Sequence, residues 1–315
     1  MIQLDSRSLP LEGGCVLTLG NFDGVHTGHT ALIKATVRRA RSVNLPAAVW
    51  TFRQHPQSFF SAEPPKYLTN AEEKAELIEK AGADLYFCAD FADCKDMEPE
   101  AFVEDVLIKG FRVREVFCGY NFSFGKGGVG TPELLGKLLS EHEVPLTVIP
   151  PVCSGGEAVS STRVRALIAE GNIEEANRLL GRRYGFCLPV VHGRQLGRLL
   201  GSPTVNQILP EDAAVPRFGV YAAVCEADGL LRGGVANIGV SPTVSEKEAV
   251  PACETYIFDY KGDLYGHRVR VGLIGRIRDE KRFGSLAELS AQISEDIKTA
   301  RAVTEKALAE GETDV

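Results

Sequence analysis

The first 150 residues alternate short β-branched runs with stretches of helical periodicity. Strands are predicted over residues 15–19, 47–52, 84–88, 115–118 and 146–149. Helical patterns separate them, with one apolar face at positions 32, 33, 36, 37 and 40 and further patterns over residues 71–81, 99–109 and 132–140. This alternation predicts a parallel sheet covered by helices, because parallel strands need crossovers that bury both faces of the sheet. The N-terminal half is therefore expected to be α/β.

The pattern of hydrophobic and polar positions changes from residue 186 onward. Just before it, hydroxyls at 160–162 predict the start of a short helix that ends at Gly171, and Asn172 predicts the cap of a second helix that ends at Gly181. Beyond it, β-rich runs over 220–225, 234–238, 254–259 and 268–274 are separated by Gly and Pro turns, as in a small antiparallel barrel. A closing amphipathic helix is predicted from the spacing of Leu286, Leu289, Ile293 and Ile297. We expect domains over residues 1–182 and 183–308, with a flexible tail over 309–315.

Composition narrows the class of protein. A chain of 315 residues is long enough for about two domains, and a net charge of -7 argues against a nucleic-acid partner. No apolar run approaches the roughly 18 residues of a membrane span, and no signal segment opens the chain, so we expect a cytoplasmic protein without a membrane partner. Eight cysteines stand at no C-x-x-C spacing, which favours reduced core thiols over a zinc site.

The segment between the first predicted strand and helix carries the clearest chemistry. Glycines at 20, 24 and 28 allow a tight turn, and the N–H groups that begin the helix attract phosphate. His26 and His29 can point to one side and donate hydrogen bonds to phosphoryl oxygens that gain charge as pyrophosphate leaves. A zinc pair and two ordinary turn histidines are the alternatives, although zinc needs a third ligand and no H-E-x-x-H is present.

The sequence G-N-F-D-G-V-H-T-G-H over residues 20–29 resembles the nucleotidylyltransferase superfamily in the form found in bacterial FAD synthetases. Residues 118–125 and 160–165 are similar to two further motifs of that family. The resemblance implies catalytic roles for His26 and His29. It implies an ATP site formed by Gly20, Asn21, Phe22, Asp23, His26, Gly28, His29, Ser161, Thr162, Arg163 and Arg165, and an FMN site formed by His55, Pro56, Asn121 and Phe122.

Two segments of the N-terminal half allow more than one interpretation. Arg163 and Arg165 could make bidentate hydrogen bonds to phosphate, or they could belong to a solvated helix face. Residues 125–130 read G-x-G-x-x-G, but they lie in the fourth α/β unit instead of opening a dinucleotide-binding domain, so a loop is favoured. The second lysine of a phosphate-binding loop is also missing there.

Residues 192–206, in the second half of the chain, form a candidate nucleotide-binding segment. In an extended strand Thr204 and Asn206 face the same side and offer two oxygen ligands that could hold Mg²⁺ against nucleotide phosphates. A structural turn is the alternative. The segment resembles the Mg-ATP motif of riboflavin kinase, and residues 234–243 and 254–266 are also similar to that family. The resemblance implies kinase ATP contacts at Gly193, Gly197, Arg198, Gly201, Thr204 and Asn206, with Thr204 and Asn206 as metal ligands.

The riboflavin-kinase resemblance also assigns a catalytic base. It implies that Glu254 takes the proton from the ribityl 5′-hydroxyl, and that Glu254, Arg278 and Phe283 contact the flavin. From its position alone, Glu254 could equally be an exposed strand end.

Together the two resemblances imply a Rossmann-like adenylyltransferase domain joined to a riboflavin-kinase barrel. The implied reactions convert riboflavin to FMN and FMN to FAD, with ATP and Mg²⁺; riboflavin, FMN, FAD and ATP are the expected small-molecule partners. Departures from the family pattern fall at Arg53-Gln54, Ser241 and Val244. A flavin-binding regulatory protein and a single-activity enzyme that retains the fold are the alternatives.

Overall fold

The computed structural model describes residues 1–192, 204–242 and 249–309. The chain forms two compact units, Met1–Ser161 and Thr162–Val315. The boundary after residue 182 stays a prediction. Several positions of interest lie outside the described residues: Gly193, Gly197, Arg198, Gly201, Val244 and the predicted tail from residue 310 onward.

The first unit is built on a six-stranded sheet with the order β1-β4-β3-β2-β5-β6. Each pairing within it is parallel. The strands are β1 (Ile2–Leu4), β2 (Cys15–Leu19), β3 (Ala47–Phe52), β4 (Leu85–Ala89), β5 (Val113–Gly119) and β6 (Leu146–Ile149). A separate two-stranded hairpin pairs β7 (Cys153–Ser154) with β8 (Glu157–Ala158).

Helices cover both faces of this sheet. They are α1 (Thr27–Ser42), α2 (Ala71–Lys80), α3 (Phe91–Cys94), α4 (Pro99–Ala101), which continues as a π-helix over Phe102–Gly110, and α5 (Pro132–Ser140). Successive residues of β2 alternate between two hydrophobic clusters: Leu17 and Leu19 belong to one and Val16 to the other. The sheet is therefore buried on both faces, as the β-branched runs predicted.

The second unit is an antiparallel sheet with the order β10-β13-β12-β11-β14-β9. Its strands are β9 (Tyr184–Pro189), β10 (Thr204–Ile208), β11 (Gly219–Ala227), β12 (Leu230–Pro242), β13 (Ala249–Ile257) and β14 (Arg268–Asp279). The edges meet where Val191 N donates to Asn206 O at 2.8 Å and Gln207 Nε2 donates to Leu188 O at 2.8 Å. The sheet thus curls toward a closed barrel, which confirms the predicted fold class.

Among the described residues of the second unit, three helices accompany the sheet: α6 (Ser161–Glu170), whose first residue belongs to the first unit, α7 (Ile173–Leu180) and α8 (Leu286–Ala309). Asn172 caps α7 by accepting a hydrogen bond from Glu175 N, and Gly181 ends it in the left-handed conformation at φ 71°. Both positions agree with the sequence prediction, because a side-chain acceptor begins the helix and a glycine ends it.

All eight cysteines lie within the described residues and carry free thiols. Burial raises the pKa of Cys15 and Cys253 to about 12, so these thiols stay protonated near neutral pH. Across residues 1–192, 204–242 and 249–309, no helix has the length and apolar composition needed to cross a membrane.

Candidate active sites

The first candidate site lies at the point where the order of the parallel strands reverses. The chain builds β3 and β4 on one side of β2 and then returns to place β5 on the other side. Ligands of open α/β sheets bind in the crevice outside the carboxyl ends of the strands at such a point. Residues 20–29 follow the carboxyl end of β2, and residues 120–125 follow that of β5.

The turn after β2 is fixed by the segment that precedes α2. The Asp23 carboxylate accepts hydrogen bonds from Leu68 N at 3.0 Å and Thr69 N at 3.4 Å. Gly24 N in turn donates to Thr69 Oγ1 at 3.1 Å. Gly24 lies at φ 78°, and a Cβ there would stand 2.7 Å from a Leu68 methyl, so only glycine fits. The Gly-Asn-Phe-Asp-Gly sequence thus builds a rigid turn.

His26 and His29 face each other at the start of α1. The His26 ring caps the helix, with Nδ1 accepting a hydrogen bond from His29 N at 3.2 Å. The two imidazoles stack with centroids 3.6 Å apart and an interplanar angle of 14°. Because His26 Nδ1 is an acceptor, its Nε2 carries the proton in the neutral ring and can donate to an anion.

His29 is held in its neutral form. Burial lowers its pKa well below the usual value, and the neighbouring His26 and Lys74 lower it further. Its Nδ1 is buried and has no hydrogen-bond partner within the described residues. A neutral imidazole can still donate one hydrogen bond to a phosphoryl oxygen, so the pair suits a site that binds phosphate without adding net charge.

Ser161 is hydrogen-bonded to this turn, whereas residues 162–165 of its motif belong to the second unit. The Ser161 hydroxyl donates to the Asp23 carbonyl oxygen at 2.9 Å. Thr162, Arg163 and Arg165 stand in the first turns of α6, where Arg163 pairs with Glu175 at 3.3 Å. Their predicted contact with ATP stays a prediction.

An aromatic cavity of about 430 Å³ opens beside the carboxyl end of β3. Of the four predicted FMN residues, Pro56 and Phe122 line it. His55 instead caps the short 3-10 helix Pro56–Phe59 by accepting a hydrogen bond from Gln57 N at 3.2 Å, and Asn121 is exposed. The other aromatic lining residues were not among the predicted FMN contacts, although Phe124 lies in the motif at residues 118–125: Trp50, Phe52, Phe60, Phe91, Phe102 and Phe124.

The glycine-rich stretch 125–130 forms a loop on the rim of this cavity. Phe124 and Gly130 exchange backbone hydrogen bonds of 3.1 and 2.9 Å, which close the loop as a small hairpin. Gly125, Gly127 and Gly128 have φ between 67° and 73° and line the cavity. The loop therefore shapes the cavity, in agreement with the preference for a loop over a dinucleotide motif.

The second candidate site is a cavity of about 320 Å³ in the second unit. Asn206, Glu254 and Asn237 stand directly opposite one another on adjacent strands β10, β13 and β12. Paired residues on neighbouring strands face the same side of a sheet, so they form one polar row. Glu254, Asn237 and Thr204 line the cavity. Glu254 lies within β13, paired on both sides and half-buried, instead of at an exposed strand end.

The rest of this cavity is mainly apolar and is covered by α8. Val220, Val235 and Tyr256 contribute from the sheet, and Phe283 contributes from the segment between β14 and α8. Leu289, Ile293 and Ile297, spaced four residues apart on α8, form the opposite wall. A flat, largely apolar ring system can therefore occupy the cavity with its polar end at the Glu254 row.

Arg278 joins the sheet to α8 at the wall of the cavity. Its guanidinium makes a forked ion pair with Asp296, with distances of 2.9 Å from Nε to Oδ1 and 2.7 Å from NH2 to Oδ2. Gln292 Nε2 also donates to Asp296 Oδ1 at 3.0 Å. Asp296 is only 4% exposed, so the Arg278 guanidinium is paired with a buried carboxylate. The sequence analysis named Arg278 and Phe283 but missed Asp296.

Replacing Asp296 by Asn is expected to destabilise the junction of β14 and α8 by about 3 kcal/mol, because it leaves Arg278 without its buried counter-charge. Hydrogen exchange of the backbone amides of β14 and α8 measures this loss. Asp259→Asn is the matched control, since Asp259 makes a similar forked pair with Arg301 on the same helix but is exposed. Equal protection loss in both variants would contradict the assignment.

Comparisons with known proteins match both units. The FAD synthetase family profile matches residues 9–163, and the riboflavin kinase family profile matches residues 180–304. A bifunctional riboflavin kinase/FMN adenylyltransferase of Escherichia coli K12 is 40% identical over 295 residues, covering 92% of this chain and 93% of the relative. That of Listeria monocytogenes is 36% identical, covering 91% of each chain.

A solved structure described as a macrolide-efflux protein of Streptococcus pneumoniae has a TM-score of 0.85 and 30% identity. It covers 95% of this chain and 98% of its own. The order of the two matched profiles and the identity over nearly the whole length confirm the resemblance seen in the motifs. The chain belongs to the bifunctional riboflavin kinase/FMN adenylyltransferase family.

Proposed function

We propose that this chain phosphorylates riboflavin to FMN in its second unit and adenylylates FMN to FAD in its first. The observation that carries the proposal is the polar row beside an apolar cavity, where Glu254 stands between Asn206 and Asn237. A hydroxyl substrate with a flat apolar body fits such a site. The strand-to-helix corner at residues 20–29 supports the second reaction.

In the kinase reaction, Glu254 acts as general base. It accepts the proton of the ribityl 5′-hydroxyl as that oxygen attacks the γ-phosphorus of ATP, and ADP leaves with the electron pair of the broken P–O bond. Asn206 and Asn237 flank Glu254 in register on the neighbouring strands, so the three side chains face the same side of the sheet. Arg278 and Phe283 bound the cavity where the flavin ring would lie.

Magnesium bound to ATP fits the donor set at the start of β10. Thr204 and Asn206 stand two residues apart on one strand and face the same side. Asn206 Nδ2 donates to Thr204 O at 3.4 Å, which directs the amide oxygen away from that carbonyl. Hard oxygen ligands suit Mg²⁺, which takes few protein ligands and completes its shell with phosphates and water. Its role is to neutralise phosphate charge; Thr204 and Asn206 would hold it.

In the adenylyl transfer, the chain mainly positions and stabilises charge. An FMN phosphate oxygen attacks the α-phosphorus of ATP, and pyrophosphate leaves with the bonding electron pair. His26 and His29 are placed to donate hydrogen bonds to oxygens that gain negative charge in this step. The amide groups that begin α1 add to the same attraction.

The aromatic cavity of the first unit is the proposed site of the FMN ring. Trp50 is the single tryptophan of the chain and lines this cavity. FMN is therefore expected to quench tryptophan fluorescence on binding. Phe122→Ala is expected to raise the Kd for FMN about threefold to tenfold through the loss of one aromatic contact. Absence of quenching, or an unchanged Kd in this variant, would place FMN elsewhere.

The experiment that tests the whole proposal is chromatography of flavins after incubation with ATP and Mg²⁺. Starting from riboflavin, FMN is expected first and FAD later; starting from FMN, FAD alone is expected. A chelator in excess of Mg²⁺ should stop both reactions. Flavin binding without conversion would contradict the proposal and favour a regulatory protein, whereas FMN without FAD would confine the error to the first unit.

A further inference from the structure

Lys74, on α2, is a buried charged residue that none of the sequence motifs includes. Lys74 is only 4% exposed, and burial lowers the pKa of its ammonium group. The ammonium donates to Phe52 O at 2.7 Å and to Asn21 O at 3.3 Å. A buried ammonium is costly unless it is hydrogen-bonded, and these two carbonyl oxygens accept the bonds that offset the cost of burial.

The two acceptors belong to the two halves of the adenylyltransferase site. Asn21 opens the turn that carries His26 and His29, and Phe52 ends β3 and lines the aromatic cavity. Thr51 of β3 also donates from Oγ1 to Asn21 O at 2.9 Å, and Lys74 bonds to both segments from a third element, α2. We propose that Lys74 is a positioning residue for adenylyl transfer, which fixes the histidine turn relative to the end of the aromatic cavity.

The charge of Lys74 has a second consequence for the same site. Lys74 and His26 are the charged and titratable neighbours that lower the pKa of His29, and Asp23 and Cys88 face Lys74 itself. Because a positive neighbour disfavours the imidazolium, removal of the ammonium raises the His29 pKa. The change in the His29 pKa depends on the positive charge of Lys74. The Asn21 carbonyl oxygen, in contrast, accepts hydrogen bonds from both Lys74 and Thr51. Mutations of Lys74 and Thr51 therefore separate the effect of the charge from the effect of the hydrogen bond to Asn21.

The test compares Lys74→Met and Lys74→Gln with Thr51→Val in the full chain. This inference rests on the proposed function, so two readouts are needed. In both Lys74 variants, kcat for FMN adenylylation is expected to fall about 10-fold to 100-fold, the cost of a misplacement near 1 Å, with riboflavin phosphorylation unchanged. In an NMR pH titration, the midpoint of the His29 imidazole is expected to move to higher pH in both Lys74 variants but not in Thr51→Val.

Three results would overturn the proposal. One is unchanged adenylyl transfer in folded Lys74 variants, and another is a His29 midpoint that does not move in them. The third is loss of folding in both variants, which would assign Lys74 to stability alone. Absence of adenylyl transfer in the wild-type chain would instead refute the proposed function, and the His29 titration would still decide whether Lys74 sets the protonation of this site.

Discussion

Glu254→Gln is expected to lower the rate of riboflavin phosphorylation by about 10²-fold to 10⁴-fold, the usual contribution of a positioned general base. Glutamine keeps the size of the side chain and its place between Asn206 and Asn237, but it cannot accept the hydroxyl proton. The loss should appear in kcat, because the apolar cavity that holds the flavin ring is unchanged. Initial rates of FMN formation at saturating riboflavin measure it.

Two controls accompany this prediction. FAD formation from supplied FMN should be unchanged in Glu254→Gln, because that reaction belongs to the first unit. Glu226→Gln removes an exposed carboxylate from β11 and should leave both rates unchanged. Retention of phosphorylation in Glu254→Gln would mean that another group accepts the proton, and the assigned base would then be wrong.

His29→Ala is expected to lower FAD formation by about 10²-fold to 10³-fold, the effect of removing one donor from a site that stabilises developing charge. The substitution also removes the ring that stacks on His26, so the orientation of the second imidazole is lost with it. FMN formation from riboflavin should be unaffected. The rate of pyrophosphate release from FMN and ATP gives a direct measurement.

His142→Ala is the matched control for the histidine variant. His142 follows α5 and pairs with Glu104 at 3.2 Å, away from the residue 20–29 turn in the sequence and in its contacts. Its removal should change neither reaction. Loss of both activities in a folded His29→Ala protein would contradict two separate sites, and unchanged FAD formation would remove His29 from the proposed mechanism.

Much of the fold could be predicted from periodicity because burial on both faces leaves a continuous apolar run. β2, β3, α5 and β6 begin and end where the sequence analysis placed them. The edge strand β1 was missed because it has only three residues and is partly exposed, so it leaves no buried pattern. The π-helical turn at Phe102–Gly110 was also missed, since an apolar face alone does not distinguish π from α geometry.

The candidate sites could be predicted only where their residues are close in the sequence. His26 and His29 are three apart, and Thr204 and Asn206 are two apart, so local geometry already places them together. The aromatic cavity is lined by residues that range from Trp50 to Gly128 in the sequence, and Asp296 meets Arg278 from a different element. Lys74 looks like an ordinary charge on an amphipathic helix until its contacts with Asn21 and Phe52 are known.

We expect one chain to hold two separate active sites, so that FMN released by one protein molecule can be adenylylated by another. Mixing the Glu254→Gln and His29→Ala variants with riboflavin, ATP and Mg²⁺ tests this most directly. Each variant alone should produce almost no FAD, whereas the mixture should produce it after a lag, because FMN made by His29→Ala is adenylylated by Glu254→Gln. FAD absent from the mixture, with both proteins folded, would contradict the account.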